Sequence, residues 1–150
     1  MAIPNGVIYI KSVYSTEPGM PQNPWIKIQQ SQYSSRQLVA ATNDKNEANR
    51  FLAVPLGGEN TLALFDLKSE CWVSRINLGT TDFLAASKPS LDVFCQFTYE
   101  ETNNGSFRLK CSDASYVAVT GGTVSNGNPL EWLNNLQTND DTTLFGYEMA

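Results

Sequence analysis

The sequence contains no histidine. This absence excludes the Ser-His-Asp and Cys-His arrangements of nucleophilic catalysis, which need an imidazole as the base. It also depletes the metal ligands. Only Cys71, Cys95 and Cys111 remain, far apart and without a Cys-x-x-Cys spacing, whereas zinc sites draw on closely spaced Cys and His. An odd number of scattered cysteines reads as buried free thiols in a reducing compartment. No apolar run approaches the roughly 18 residues of a membrane helix. The opening MAIPNGVIYIKSV lacks the charged start and long apolar run of a secretory leader. Basic residues are few, ten Lys and Arg against fifteen Asp and Glu for a net charge of −5, and none cluster into the basic face that nucleic acid requires. The expectation is therefore no cofactor, no metal, no nucleic-acid partner, no membrane insertion by this chain alone, and a cytoplasmic or nucleocytoplasmic location.

Carboxylate-pair chemistry is the remaining catalytic option. The adjacent acids are Asp140-Asp141 and Glu100-Glu101. Neighbours in a strand point to opposite faces, so such a pair does not converge on one substrate atom. No phosphate loop, dinucleotide fingerprint or nucleophile elbow is present. The chain reads as non-enzymatic.

What the sequence does contain is an echo. LVAATND (Leu38–Asp44) and FLAASKP (Phe83–Pro89) share an aliphatic–Ala–small core followed by polar residues. Upstream of each stands an aromatic and an alternating stretch, PWIKIQQ (Pro24–Gln30) and CWVSRIN (Cys71–Asn77), with a third at SYVAVTG (Ser115–Gly121). Alternation at period two is the mark of a half-buried strand. Downstream come NRFLAVPL, DVFCQFTYE and TLFGYEMA, centred on Phe51, Phe94 and Phe145. Further upstream GVIYIKSV, TLALFDLKS and SFRLKCSD alternate again. The third member of the LVAA strand falls on PLEWLNNL (Pro129–Leu136), which fits by position and not by residue type. Turn-rich GGEN (Gly57–Asn60) and TNNG (Thr102–Gly105) separate the units. DKNEANRF predicts a single helical turn capped by Asp44, and NPLEWLNNL is compatible with another.

Three units of four short strands, bounded at about 7–56, 61–100 and 105–150, predict an all-β fold, the β-trefoil: a six-stranded barrel with a hairpin cap, spanning 1–150 as one domain. The last-strand Phe and the third-strand Leu or Phe of each unit would meet at the pseudo-threefold axis. An eight-stranded barrel of successive hairpins is the rival, and it predicts no threefold self-similarity.

The run CWVSRINLGTTDFLAASKPSLDVFCQFTYEETNNGSFRLKCSDASYV resembles the agglutinin domain of amaranthin-type lectins. The matching features are the aromatic strand at Trp72, the polar loop Asn77–Asp82, the Phe83–Ser87 strand, Cys95, Tyr99–Glu101 and Arg108–Leu109. The resemblance implies a β-trefoil lectin for galactose- or GalNAc-containing glycans such as the T-antigen disaccharide. It also implies a sugar site shared between subunits, so that a one-domain chain would form a homodimer. Ricin-B-like trefoils carry Gln-x-Trp in each unit, and no Gln-x-Trp occurs here.

A galactose-type ligand needs an aromatic face and side-chain amides or carboxylates on loops held by a rigid barrel. The loop between the second and third strand of each unit offers these. Unit two provides Asn77, Thr80, Thr81 and Asp82, the first choice because the family places ligand contacts there. Unit three provides Asn126, Asn128 and Trp132, and unit one Tyr33 and Arg36. Trp25 and Trp72 read as core or rim packing. Binding would be weak per site, roughly millimolar to micromolar, and strengthened by multivalency. A second function class is a protein-binding trefoil such as a protease inhibitor, using the loop Tyr14–Trp25, whose three prolines lower the cost of ordering on binding. A third is the targeting module of a toxin.

Overall fold

The computed structural model describes residues 4–13, 25–30, 34–78, 81–102, 105–119, 130–133 and 143–150. Strands fall in three sets of four. The first holds β1 (Gly6–Ser12), β2 (Trp25–Gln29), β3 (Gln37–Thr42) and β4 (Phe51–Pro55). The second holds β5 (Thr61–Asp66), β6 (Cys71–Leu78), β7 (Thr81–Lys88) and β8 (Phe97–Glu101). The third holds β9 (Phe107–Lys110), β10 (Tyr116–Val119), β11 (Leu130–Leu133) and β12 (Phe145–Met149).

Pairing closes the barrel. β1 pairs with β4, β4 with β5, β5 with β8, β8 with β9, β9 with β12, and β12 returns to β1, all antiparallel. A closed ring leaves these six strands no free edge. The hairpins β2–β3, β6–β7 and β10–β11 form the cap. The expected β-trefoil is thus built strand by strand, and the linear-hairpin barrel is excluded by the β1–β4 and β5–β8 pairings.

The threefold relation extends to single residues. Ile8 pairs with Phe51, Leu62 with Phe97 and Phe107 with Phe145, and all six are 2% exposed or less. One layer towards the cap, Ile10, Leu64 and Leu109 meet Ile26, Leu38, Leu84 and Val117 of the hairpins. Burying a side chain of this size contributes about 1.5–3 kcal/mol, and the alternation of each strand delivers it to one side. Each unit's barrel also starts alike: Gly6, Asn60 and Gly105 have φ of 130°, 53° and 76°. Gly and Asn are the residues that take this region at least cost, which explains the turn-rich boundaries at Asn60 and Gly105.

Three local expectations need correction. Phe94 is not a last-strand residue. It lies in the 3-10 turn Val93–Cys95 and is 42% exposed, while Phe97 takes the core position. In the second echo the frame moves by one: β2 pairs Ile28 with Leu38 and β6 pairs Arg75 with Leu84, so Leu84 and not Phe83 matches Leu38. A one-residue shift changes which face a side chain occupies. Leu130–Leu133 forms the third unit's strand opposite Tyr116–Val119, as the position of PLEWLNNL implied, so the helical turn that NPLEWLNNL also allowed does not form there. The other turn forms as expected, Lys45–Glu47, with the Asp44 carboxylate accepting from Asn46 N.

Cys71, Cys95 and Cys111 are free and buried. Burial pushes the Cys111 thiol up to about 12 and also raises Cys95. Since the thiolate is the reactive form, the native protein at about pH 8 should resist a thiol reagent, and all three cysteines should react once it is unfolded. Rapid reaction of any native thiol would contradict this packing.

Candidate functional site

One polar site grows out of β6 and the segment after β7. Val73, Arg75 and Asn77 share one face of β6, and along it the strand leaves the core: Val73 is buried, Arg75 half-buried and Asn77 exposed. Asn77 faces Asp82 across the hairpin, and its Nδ2 donates to Asp82 Oδ1. After β7 the chain turns at Asp92. One carboxylate oxygen accepts from Phe94 N at 2.9 Å and the other pairs with Lys88 Nζ at 3.3 Å. Asp92 therefore both caps the turn that presents Phe94 and fixes the lysine beside it.

Arg75, Ile76, Asn77, Lys88 and Phe94 enclose a cleft of about 290 Å³, near the lower limit of ordinary small-molecule sites, roughly 300 Å³. The Arg75 guanidinium stands 5.4 Å from the centre of the Phe94 ring and pairs with Asp113 in the turn after β9. Asp113 is itself held by Ser115, accepting from its N at 3.0 Å and from its Oγ at 2.6 Å. Unit three thus braces the wall of a unit-two cleft. Burial acts to raise the Asp113 carboxyl, but the Ser115 hydrogen bonds and the Arg75 charge outweigh it and hold it below its ordinary range.

That shift has a sign. A carboxyl depressed in the folded state adds stability above its unfolded-state value, near 3.8, and loses it as pH falls through the lower folded value. Asp113→Asn should therefore lower the melting temperature at about pH 7, with the difference closing as pH falls through the depressed folded value of the carboxyl. A difference as large in strong acid as at neutrality would mean that the Asp113 charge contributes nothing.

Of the residues singled out from sequence, Asn77 and Asp82 come together here. Thr81 opens β7 opposite Leu78, and Trp132 lies in β11 opposite Val117. Arg36 does not line the cleft; its Nη1 donates to Cys71 Sγ at 3.1 Å. Thr80, Tyr33, Asn126 and Asn128 lie outside the described residues, as does the 14–24 loop. Trp25, Trp72 and Tyr116 occupy equivalent positions. Trp25 packs edge-on to Tyr9 with Lys11 5.3 Å from its ring, and Trp72 packs edge-on to Phe65 at 4.9 Å. Tyr116 lies under Lys110 and donates to Glu100.

Sequence reasoning missed Arg75, Lys88 and Phe94. A signal for Phe94 existed: Asp92 two residues earlier is a capping residue, and Phe97-Thr98-Tyr99 alternates in phase with the buried positions of β9. No local signal places Arg75 and Lys88 on one cleft, because their convergence depends on the β6–β7 register.

No protein-family profile matches the sequence, and no curated protein matches it. Solved structures do. A designed threefold-symmetric protein, ThreeFoil, superposes with a TM-score of 0.76 at 12% identity, over 97% of this chain and 100% of that one. The Macrolepiota procera ricin B-like lectin in complex with lactose gives 0.72 at 12% identity, over 100% of both chains. A salivary protein of Culex quiquefasciatus from the cysteine and tryptophan-rich family gives 0.74 at 13% identity, over 99% of this chain and 96% of that one. At such identities the likeness is one of fold.

Proposed function

We propose that this β-trefoil is a non-enzymatic carbohydrate-binding protein, a lectin that takes a galactose- or GalNAc-type sugar in the unit-two cleft. The observation that carries the reading is the exposed Phe94 ring facing a fixed polar set. A pyranose offers an apolar C–H patch to one side and hydroxyls to the other. Phe94 suits the first, and Asn77, Asp82 and Arg75 suit the second. Every polar side chain there is already oriented by a partner, which lowers the ordering cost of binding.

Two further lines support it. Arg75, Asn77, Asp82, Lys88 and Phe94 all lie within the stretch that resembles amaranthin-type agglutinins, whose glycans include the T-antigen disaccharide. The Macrolepiota procera structure holds lactose on the same fold. A hydrogen bond to a sugar hydroxyl replaces one to water and nets only about 1 kcal/mol, so one such cleft binds weakly. A homodimer, as the resemblance implies, would multiply sites and raise avidity. Buried free thiols suit a reducing compartment.

The test is a glycan array on fluorescently labelled, folded protein, with Galβ1-3GalNAc, GalNAc and lactose included. Signal on galactose or GalNAc glycans is the expected result. A blank array would end the lectin reading and turn attention to the Tyr14–Trp25 loop and a protein partner.

A further inference from the structure

Unit one carries a second cleft of different chemistry. It lies between the Lys45–Glu47 turn and the turn that joins β5 to β6, with a volume of about 390 Å³. Its lining is Asn46, Glu47, Ala48, Asn49, Arg50, Leu67 and Lys68. The pairing of Phe51 with Asp66 sets Arg50 opposite Leu67, and Leu67 N donates to Arg50 O at 3.3 Å. Arg50, just before β4, and Lys68, just after β5, are thereby brought to one rim from different units.

The floor is already committed. Asn49 Oδ1 accepts from Ile28 N, and its Nδ2 donates to the buried Asp66 at 3.0 Å. Glu47 Oε2 accepts from Thr42 Oγ1 at 3.3 Å. The Arg50 guanidinium and Lys68 ammonium differ: among the described residues no carboxylate lies within ion-pair distance of either. In the unit-two cleft each cation has its acid, Asp113 for Arg75 and Asp92 for Lys88. The two clefts thus differ in whether their cations are paired. Arg50, Lys68 and Glu47 stand exposed on its rim, while Asp66 lies buried beneath Asn49. Among the described residues no aromatic ring lines it, so stacking on a sugar face is not what these residues offer.

We infer that the unit-one cleft is a second binding site, for the anionic group of a carboxylated or sulfated saccharide held by Arg50, Lys68 and the Asn46 carboxamide. This goes beyond the neutral-sugar reading of unit two and does not depend on it. A planar guanidinium and an ammonium on one rim can share the oxygens of a carboxylate or sulfate, while Asn46 reaches an adjoining hydroxyl.

The experiment is an amide chemical-shift titration of the full chain with 3′-sialyllactose, 3′-sulfolactose, lactose and inorganic sulfate. It is repeated on an Arg50→Gln/Lys68→Gln double variant, which leaves the barrel core untouched. Both anionic sugars should move the amides of Asn46, Arg50 and Lys68, and lactose should not. The double variant should bind them about fivefold more weakly. Affinity should fall as salt rises from about 0.15 M towards 1 M, where screening shortens to about 3 Å. Unmoved unit-one amides, or unchanged affinity in the double variant, would overturn the inference. So would inorganic sulfate binding as tightly as the sugars, since the cleft would then recognise an ion and not a saccharide. Lactose shifts at Asn77 and Phe94 report the unit-two reading separately, so either proposal can fail alone.

Discussion

Phe97→Ala should cost about 3–5 kcal/mol of stability, the range for emptying a buried phenylalanine site, while Phe94→Ala should cost no more than about 1 kcal/mol. The two residues are three apart and chemically identical. Phe97 is 1% exposed and pairs with Leu62 in the barrel, so its removal leaves a cavity lined by side chains that cannot collapse around it. Phe94 is 42% exposed, beside the Arg75 guanidinium, so its removal opens to solvent and leaves no enclosed cavity. Natural domains hold about 5–15 kcal/mol in total, so Phe97→Ala forfeits a large part of what this fold has. Urea denaturation of both variants decides it. If Phe94→Ala proves the more destabilising, the phase of β8 is wrong and the cleft has no aromatic wall.

Phe94→Ala is also half of the second expectation, which concerns binding. The Asn77→Ala/Asp82→Ala double variant should lose sugar affinity by roughly 10–100-fold, the equivalent of about 1.5–3 kcal/mol for hydrogen bonds to a charged group. Phe94→Ala should lose about fivefold through the missing ring face, about 1 kcal/mol. Thr98→Ala, exposed on β8, should leave binding as it was. Titration calorimetry with a glycan positive on the array measures all four proteins. Asn77 and Asp82 bond to each other across an exposed hairpin, so their removal should leave the melting temperature nearly unchanged and binding loss cannot be assigned to unfolding. Full affinity in both site variants would move the sugar to another unit, with Asn126, Asn128 and Trp132 or Tyr33 and Arg36 as the next residues to vary.

The resemblance to known lectins divides in an instructive way. Gln-x-Trp is absent from this sequence, yet a ricin B-like lectin superposes over its whole length. The fold needs the alternation and the threefold set of core residues, which many sequences satisfy. A ligand needs specific side chains on the surface of that fold, and those can change without disturbing the barrel. The likeness therefore carries the architecture, and the chemistry of each cleft has to be read from its own residues.

Local patterns in the sequence sufficed for the β-trefoil fold and the identity of most strands. Alternation at period two, an aromatic at the head of each second strand, and Asn or Gly at the positive-φ start of each unit are all properties of short segments, legible one residue at a time. The missing histidine likewise excluded whole classes of catalysis without any coordinates. The phase of β8 and the frame of β7 were not legible, because DVFCQFTYE and FLAAS each admit two alternations of equal local merit. Pairing with Leu62 chose Phe97, and pairing with Arg75 chose Leu84. The clefts depend further on such choices. Arg75 meets Asp113 from another unit, and Arg50 and Lys68 line one cleft from either side of a unit boundary. Only closure of the barrel brings together residues so far apart in the chain, so only the tertiary structure could decide which charges are neutralised and which are left open to a ligand.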